Sequence, residues 1–438
     1  MLKTVVRIGA SLTCAMSFAC TAAAADKPTI DTGDTAWLLI CTALVLMMNI
    51  PGLALFYAGM VRKKNVLATA VQAFAVAALV TVLWFAVGYT LAFTDGGGIG
   101  GAIGSLSRAF GSGLRGSTHA LAPTVPENVF LMYQATFAII TPAIIAGAFA
   151  ERMKFSAMLW FMGLWVLLVY VPVAHWVWGG GFLGQAGVLD FAGGLVVHLN
   201  AGMAGLVCAL VLGKRLGYGQ EYMAPHDLTL TLIGTSLLWV GWFGFNAGSA
   251  LSSGELAGTA MLNTHISAAV AALVWMAIEW SSRGKPSVLG ILSGAIAGLG
   301  TITPAAGYIE PWAAMLVGLG AGSACYWASV ILKNKLGYDD SLDVFGVHGV
   351  GGILGTILTG VFATRLINDV AKGQAVGLID GHASQVLTQL YGVLVVVAFS
   401  GAATWAILKI VDALVGLRVT RDQETEGLDT SLHGERVQ

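Results

Sequence analysis

Two histidines stand in otherwise uncharged, glycine-rich apolar segments. His198 opens HLNAGMAG and His348 opens HGVGGILG, each with glycine four and seven residues later. On a helix those offsets share one face, so each imidazole lines up with two bare patches of backbone. An ionisable ring at membrane depth is costly, and such residues face a bundle interior or a pathway. Either histidine alone reads as well as a satisfied core residue. Finding the arrangement twice points to two related helices carrying a paired site able to hold or pass a proton.

Other side chains could act with that pair. Asp190 precedes His198 by eight residues and Asp343 precedes His348 by five. A carboxylate at a helix start can accept orphan backbone N–H groups, and we expect that capping role before substrate contact. Under an outer vestibule, Asp190 would also favour a cation. The run HWVWGGGFLGQAGVLD (175–190) carries Trp176 and Trp178. Tryptophans there can simply anchor a helix among headgroups. Yet three glycines after Trp178 leave its indole face uncrowded, and such a face attracts a small cation by about 0.5–2 kcal/mol. LLWVGWFGFNAGSA (237–250) is the densest aromatic run, with Trp242, Phe243, Phe245 and the hydroxyl of Ser249. Phe137 reads as core by default.

The elements that must position these residues are membrane helices. Of 438 residues, 57% are apolar and 10% charged, against about 25% charged in a soluble chain. The net charge of −1 argues against nucleic acid as a partner. Fifty-eight glycines without a collagen-like period suit close helix contacts. Uncharged stretches long enough to cross a bilayer recur at 35–60, 67–94, 128–150, 157–176, 192–213, 228–250, 257–278, 287–305, 311–332, 345–364 and 386–411. The fold class is therefore an all-α polytopic membrane protein of eleven transmembrane helices. His198 and His348 lie five spans apart, as in two inverted five-helix repeats followed by a final helix.

Lys3 and Arg7, an apolar stretch from Ile8 to Cys20 and Ala23-Ala24-Ala25 form the pattern of a cleaved signal peptide over 1–25. The eleven-helix domain would cover 26–415 and a tail 416–438. Arg62, Lys63, Lys64, Arg152, Lys154, Lys214, Arg215, Arg283, Lys285, Lys333 and Lys335 crowd one set of loops, joined by Arg418, Arg421 and Arg436 of the tail. The opposite set holds only Lys27, Arg108, Arg115, Arg365 and Lys372. The positive-inside rule puts the mature N-terminus outside and the tail in the cytoplasm. Cys41, Cys208 and Cys325 show neither metal spacing nor a disulfide framework, and are assigned to packing.

WGGG with LDFAGG and VVH, then GWFGFNAGSA, then DVFGVHG together resemble the ammonium transporter/ammonia channel family (Amt/Mep/Rh). The tail GLRV…EGLD…HGE resembles its bacterial members. The resemblance runs from about residue 34 to the end. It implies eleven helices enclosing a pore in each subunit of a homotrimer in the cell inner membrane, with no cofactor and no enzymatic activity. By motif, Trp178, Ser249 and Phe137 match the outer substrate site and Asp190 its acidic support. Phe137 and Phe245 match the pore gate; His198, His348 and Trp242 match the pore lining. The tail would be an ordered regulatory segment near the docking place of a PII-type nitrogen-signalling protein, where composition alone suggests a solvated tail. His265 matches no motif and is left as structural. Tyr133, Ala135 and Thr136 depart from the bacterial pattern around Phe137.

Ammonium and potassium have similar size, so width cannot separate them. Ammonium donates hydrogen bonds and can lose a proton. An apolar tube is expensive for a bare cation and cheap for neutral ammonia. Three rivals stand beside this reading. A bis-histidine haem protein would be coloured. A divalent-metal transporter would want carboxylates or thiolates beside the histidines. An ammonium sensor would transport little.

Overall fold

The structure is a computed structural model that describes residues 29–374 and 376–437. The signal peptide expected at 1–25, with Cys14 and Cys20, lies outside the described residues. Ten helices among the described residues are long and apolar enough to cross a bilayer. They are α1 (Thr32–Met60), α2 (Lys63–Phe93), α3 (Glu127–Phe149), α4 (Phe155–Gln185), α5 (Gly194–Leu212), α6 (Leu228–Gly248), α7 (Glu255–Arg283), α9 (Pro311–Leu336), α10 (Phe345–Phe362) and α11 (Ser384–Val415). Between α7 and α9 lies the shorter apolar helix α8 (Val288–Ile302).

Helix α8 has only 15 residues, about 22 Å of rise, where the sequence suggested a span over 287–305. Ser287 caps its start by accepting from Gly290 N at 2.9 Å. Thr303-Pro304 ends it, because proline cannot continue the helical hydrogen bonds. The chain then runs to Ile309 without a helix, and Ile302, Ala305, Ala306 and Ile309 are fully buried. Irregular backbone at membrane depth is tolerated when protein covers it. Two short strands, β1 (Thr118–His119) and β2 (Ala122–Pro126), pair antiparallel over the face where α1 begins. We call that face the N-terminal face and the opposite one the tail face.

Helices α5 and α10 cross where their glycines meet. A Cβ on Gly202 would lie 2.2 Å from Gly349 Cα, and one on Gly352 would lie 2.6 Å from Leu199 N. No side chain fits at either place, so each helix presses bare backbone on the other's histidine turn. His198 and His348 are 150 residues apart, as are Gly202 and Gly352. That single offset is the mark of two related halves.

At the tail face, α12 (Arg421–Glu426) and α13 (Leu428–His433) fold back onto the helix ends. Glu424 accepts from Leu216 N at 2.7 Å and pairs with Arg418 at 2.8 Å. Asp429 accepts from Leu67 N and Ala68 N at 3.1 and 2.8 Å, capping α2. The composition-based alternative of a solvated tail is therefore overturned.

Candidate functional site

A cavity of about 410 Å³ opens at the N-terminal face, lined by Gln134, Phe137, Trp178, Asp190, Ser249 and Tyr308 among others. Half-buried Trp178 is held by its indole Nε1, which donates to the Asp190 carbonyl at 2.8 Å. Its ring meets Phe137 edge-on, with centroids 5.9 Å apart at 88°. Ser249 follows the last turn of α6 and donates from its hydroxyl to Phe245 O at 2.9 Å. With its proton committed there, the Ser249 oxygen has lone pairs left to accept. Tyr133, one turn before Phe137, donates to Phe245 O at 2.9 Å and lies 3.3 Å from Ser249 Oγ. It therefore braces α3 against the end of α6.

Phe137 and Phe245 form the floor, stacked with centroids 4.3 Å apart and 29° between planes. Beneath them the free space falls to a void of about 10 Å³, lined by Phe245, Trp242, His198 and His348 with Ile140, Ile144, Val197 and other apolar side chains. That is about the room of one water molecule. Trp242 stacks on His198 at 5.3 Å and 19°, and its Nε1 donates to Thr303 Oγ1 at 3.0 Å. The Nδ1 atoms of His198 and His348 lie 3.2 Å apart, with rings nearly parallel at 13°. One Nδ1 must donate and the other accept. The ring that donates keeps a lone pair on Nε2, and the other keeps an N–H there. His198 Nε2 is buried without a hydrogen-bond partner among the described residues.

Both histidine helices begin with a widened, π-helical turn that needs its N–H groups satisfied. The Asp190 carboxylate accepts from Gly193 N, Gly194 N, Leu195 N and Val196 N at 2.7–3.2 Å. This is the capping role expected for it. On the other half the expectation fails: Asp343 does not cap α10. Its backbone is left-handed, at φ 60°, and its carboxylate pairs with Lys333. Asp340 takes the role instead, its Oδ2 accepting from Phe345 N at 2.8 Å. Asp340 stands eight residues before His348, as Asp190 stands eight before His198.

A model of the Ammonium Transporter Family matches residues 36–438. The chain belongs to that family. An ammonium transporter of Bacillus subtilis (strain 168) is 48% identical over 405 residues, 92% of this chain and 98% of its own. The crystal structure of Saccharomyces cerevisiae Mep2 matches with a TM-score of 0.85 at 35% identity, over 94% of this chain and 95% of that one. A structure described as a sensor Amt protein matches with a TM-score of 0.83 at 27% identity, over 92% and 98%. This is accordingly a multi-pass membrane protein that transports ammonium, not an enzyme.

In this ammonium transporter, Trp178, Phe137, Ser249 and Asp190 share the upper cavity, and Phe245, Trp242, His198 and His348 the void below. Trp176 stands apart, donating to Ala102 O at 2.8 Å. Tyr133, Thr303 and Asp340 are positioning side chains that the sequence reading missed. The haem reading has no room: an iron ring cannot enter between nitrogens in hydrogen-bond contact within so small a void. The metal reading lacks its carboxylates and thiolates, since no cluster of such groups occurs among the described residues. His265, exposed on α7, lies against Trp239 and Phe243 of α6 at 5.5 and 6.0 Å.

The tail face carries a buried charge network. Glu151 pairs with Arg62 at 2.7 Å and Arg215 at 3.5 Å, and Arg215 with Asp339 at 2.8 Å. Burial alone would raise the Glu151 carboxyl, but the two guanidinium groups hold it below the usual range. Asp340 differs: burial, reinforced by Asp343, pushes it up to about 6 despite Lys333. Arg152 is fully buried and donates to Ala148 O, Asp339 O and Ser341 Oγ.

Proposed function

We propose that ammonium is captured in the upper cavity by the indole face of Trp178 and the hydroxyl oxygen of Ser249, with Phe137 beside them. The observation carrying this reading is the fall from a roomy, partly polar cavity to a dry one-molecule void across the Phe137–Phe245 stack. Capture there needs no buried counter-charge. Passing the stack as a bare cation would forfeit hydration worth several kcal/mol or more. Ammonium escapes that cost by giving its proton to solvent in the open upper cavity before it passes the stack, and potassium has none to give. Below the stack, the paired histidines offer one Nε2 acceptor and one Nε2 donor. A neutral ammonia can donate to the first and accept from the second, then move on. Asp190 supports the upper site twice, through its carbonyl on Trp178 and its carboxylate on the first turn of α5.

Methylammonium and ammonium flux in proteoliposomes tests this, comparing the parent with Trp178→Ala and His198→Ala. We expect Trp178→Ala to lose saturation at low substrate and His198→Ala to change rate or selectivity. Potassium flux equal to ammonium flux in the parent would defeat the proposal. The likeness to a sensor Amt protein supports a second reading, signalling with little transport. Growth rescue of a transport-deficient strain on limiting ammonium separates the two.

The assembly and location belong to the same proposal. We place the chain in the cell inner membrane after removal of residues 1–25, with the N-terminal face outside and the tail face in the cytoplasm. An exposed ionisable ring such as His265 within a span is costly against lipid, and a homotrimer would cover it. The docked tail, 416–438, is proposed as the regulatory segment beside which a PII-type nitrogen-signalling protein binds. Deleting it should alter transport or partner binding; unchanged values for both would remove this part.

A further inference from the structure

Trp178 has space on both sides. A second cavity of about 470 Å³ lies against Phe93, Asp95, His119, His175 and Gln185, and Trp178 borders this cavity as well as the first. Trp178 is the C-cap of Val171–Val177, the helical segment of α4 that ends there, so besides its bond to Asp190 the indole is positioned by what anchors that helix end.

The anchor is His175, one turn earlier on α4 and only 1% exposed. Its Nδ1 lies 2.9 Å from Ala92 O and its Nε2 2.7 Å from Gly100 O. Both partners are carbonyl oxygens, which only accept. A neutral imidazole has one N–H and would press its other nitrogen's lone pair against an oxygen. Two N–H groups would satisfy both contacts. His119, on the same cavity, shows the contrast. Leu121 N donates to its Nδ1 at 3.2 Å and its Nε2 lies 2.9 Å from Phe93 O, the pattern of a neutral ring.

The next carbonyls of the loop grip the same helix end. Phe182 N donates to Gly101 O at 3.0 Å and Trp176 Nε1 to Ala102 O at 2.8 Å. The contact has no slack, because a Cβ on Gly179 would lie 1.9 Å from Ala92 O. Three consecutive carbonyls, 100–102, thus hold α4 on both sides of Trp178. The charged and titratable groups around His175 are few. Asp95 lines the cavity with Oδ1 committed to Gly97 N, and His119 faces it from β1. Beyond His119 lies the Arg108–Glu127 pair, and beyond Trp178 lies the capped Asp190.

We propose that His175, donating from both ring nitrogens, is the positioning residue that fixes Trp178 for cation capture. The inference rests on the reading of Trp178 given above. The test is methylammonium uptake by proteoliposomes at an outside pH where the substrate is a cation. His175→Gln keeps an amide donor but can donate to only one of the two carbonyls in the ring's place. The variant's KM should be raised roughly 2- to 10-fold, the worth of one hydrogen bond, at an unchanged maximal rate. NMR of the parent labelled with ¹⁵N-histidine should show two N–H groups on His175. A single N–H there overturns the inference, as does a His175→Gln variant with the parent's KM. Should that variant fail to fold, the NMR measurement decides alone. Trp178→Ala with an unchanged KM would instead sink the parent reading of the outer site.

Discussion

Adding one methyl group at Gly202 should disable transport without replacing any proposed site residue. The Cβ of Gly202→Ala would stand 2.2 Å from Gly349 Cα and 2.3 Å from Gly349 N, where ordinary contact begins at 3.4 Å. Both obstacles are backbone, so no side chain can swing aside. Helices α5 and α10 must part by the difference between 3.4 and 2.2 Å, about 1.2 Å. The histidine rings ride on these helices, His198 one turn from Gly202 and His348 next to Gly349, with Nδ1 atoms 3.2 Å apart. A separation of that size takes them out of hydrogen-bond reach. Overpacking of this kind costs about 1–3 kcal/mol of stability, which a protein of this size can survive folded. Misplacing reacting groups by about 1 Å can cost a hundredfold in rate. We therefore expect methylammonium flux in proteoliposomes to fall by roughly 10- to 100-fold while the protein still purifies as a folded species.

The control is Gly258→Ala on α7, where an added Cβ meets nothing within 4 Å. There alanine should be neutral or raise stability by about 0.5–1 kcal/mol, with flux unchanged. A folded Gly202→Ala variant that transports like the parent would refute the argument that this glycine contact sets the histidine pair.

Asp340→Asn should stabilise the protein at neutral pH. The Asp340 carboxyl is pushed up to about 6 from 3.8, so stability falls as pH rises through that window and stays lower above it; the variant should gain on the order of 2–3 kcal/mol at pH 7.5 and lose the slope, read by thermal unfolding. Glu151 works in the opposite sense. Its carboxyl is held below 4.5, so its pairing with Arg215 and Arg62 stabilises at neutral pH and is lost on acidification below that value; Glu151→Gln should flatten the acid limb of the same unfolding curve. Thr303→Val leaves the buried Trp242 Nε1 without its acceptor and should cost about 1–3 kcal/mol while slowing flux, since Trp242 backs His198; a variant as stable as the parent would show that the bond does not hold the ring.

How much of this was legible in the sequence depends on whether a contact leaves a pattern along the chain. Apolar run lengths mark the spans, because a bilayer imposes one length on them all. At α8 they overrun the helix end by three residues, because Thr303-Pro304 stops a helix inside an apolar stretch. The histidine pair is legible because two related halves repeat one spacing. Asp340 was within reach too: the eight-residue offset from Asp190 to His198, applied to His348, lands on it rather than on the nearer Asp343. Tyr133 against Ser249 and Trp242 against Thr303 join residues 116 and 61 positions apart, and neither partner carries a periodic signal. His175 is harder still. Its partners are the carbonyls of Ala92 and Gly100, a group every residue possesses, so no choice of side chain in the loop could reveal them. A polar residue whose partners are main-chain atoms looks in sequence like a lone histidine on an apolar helix, and only the path of the backbone shows that both its nitrogens are spoken for.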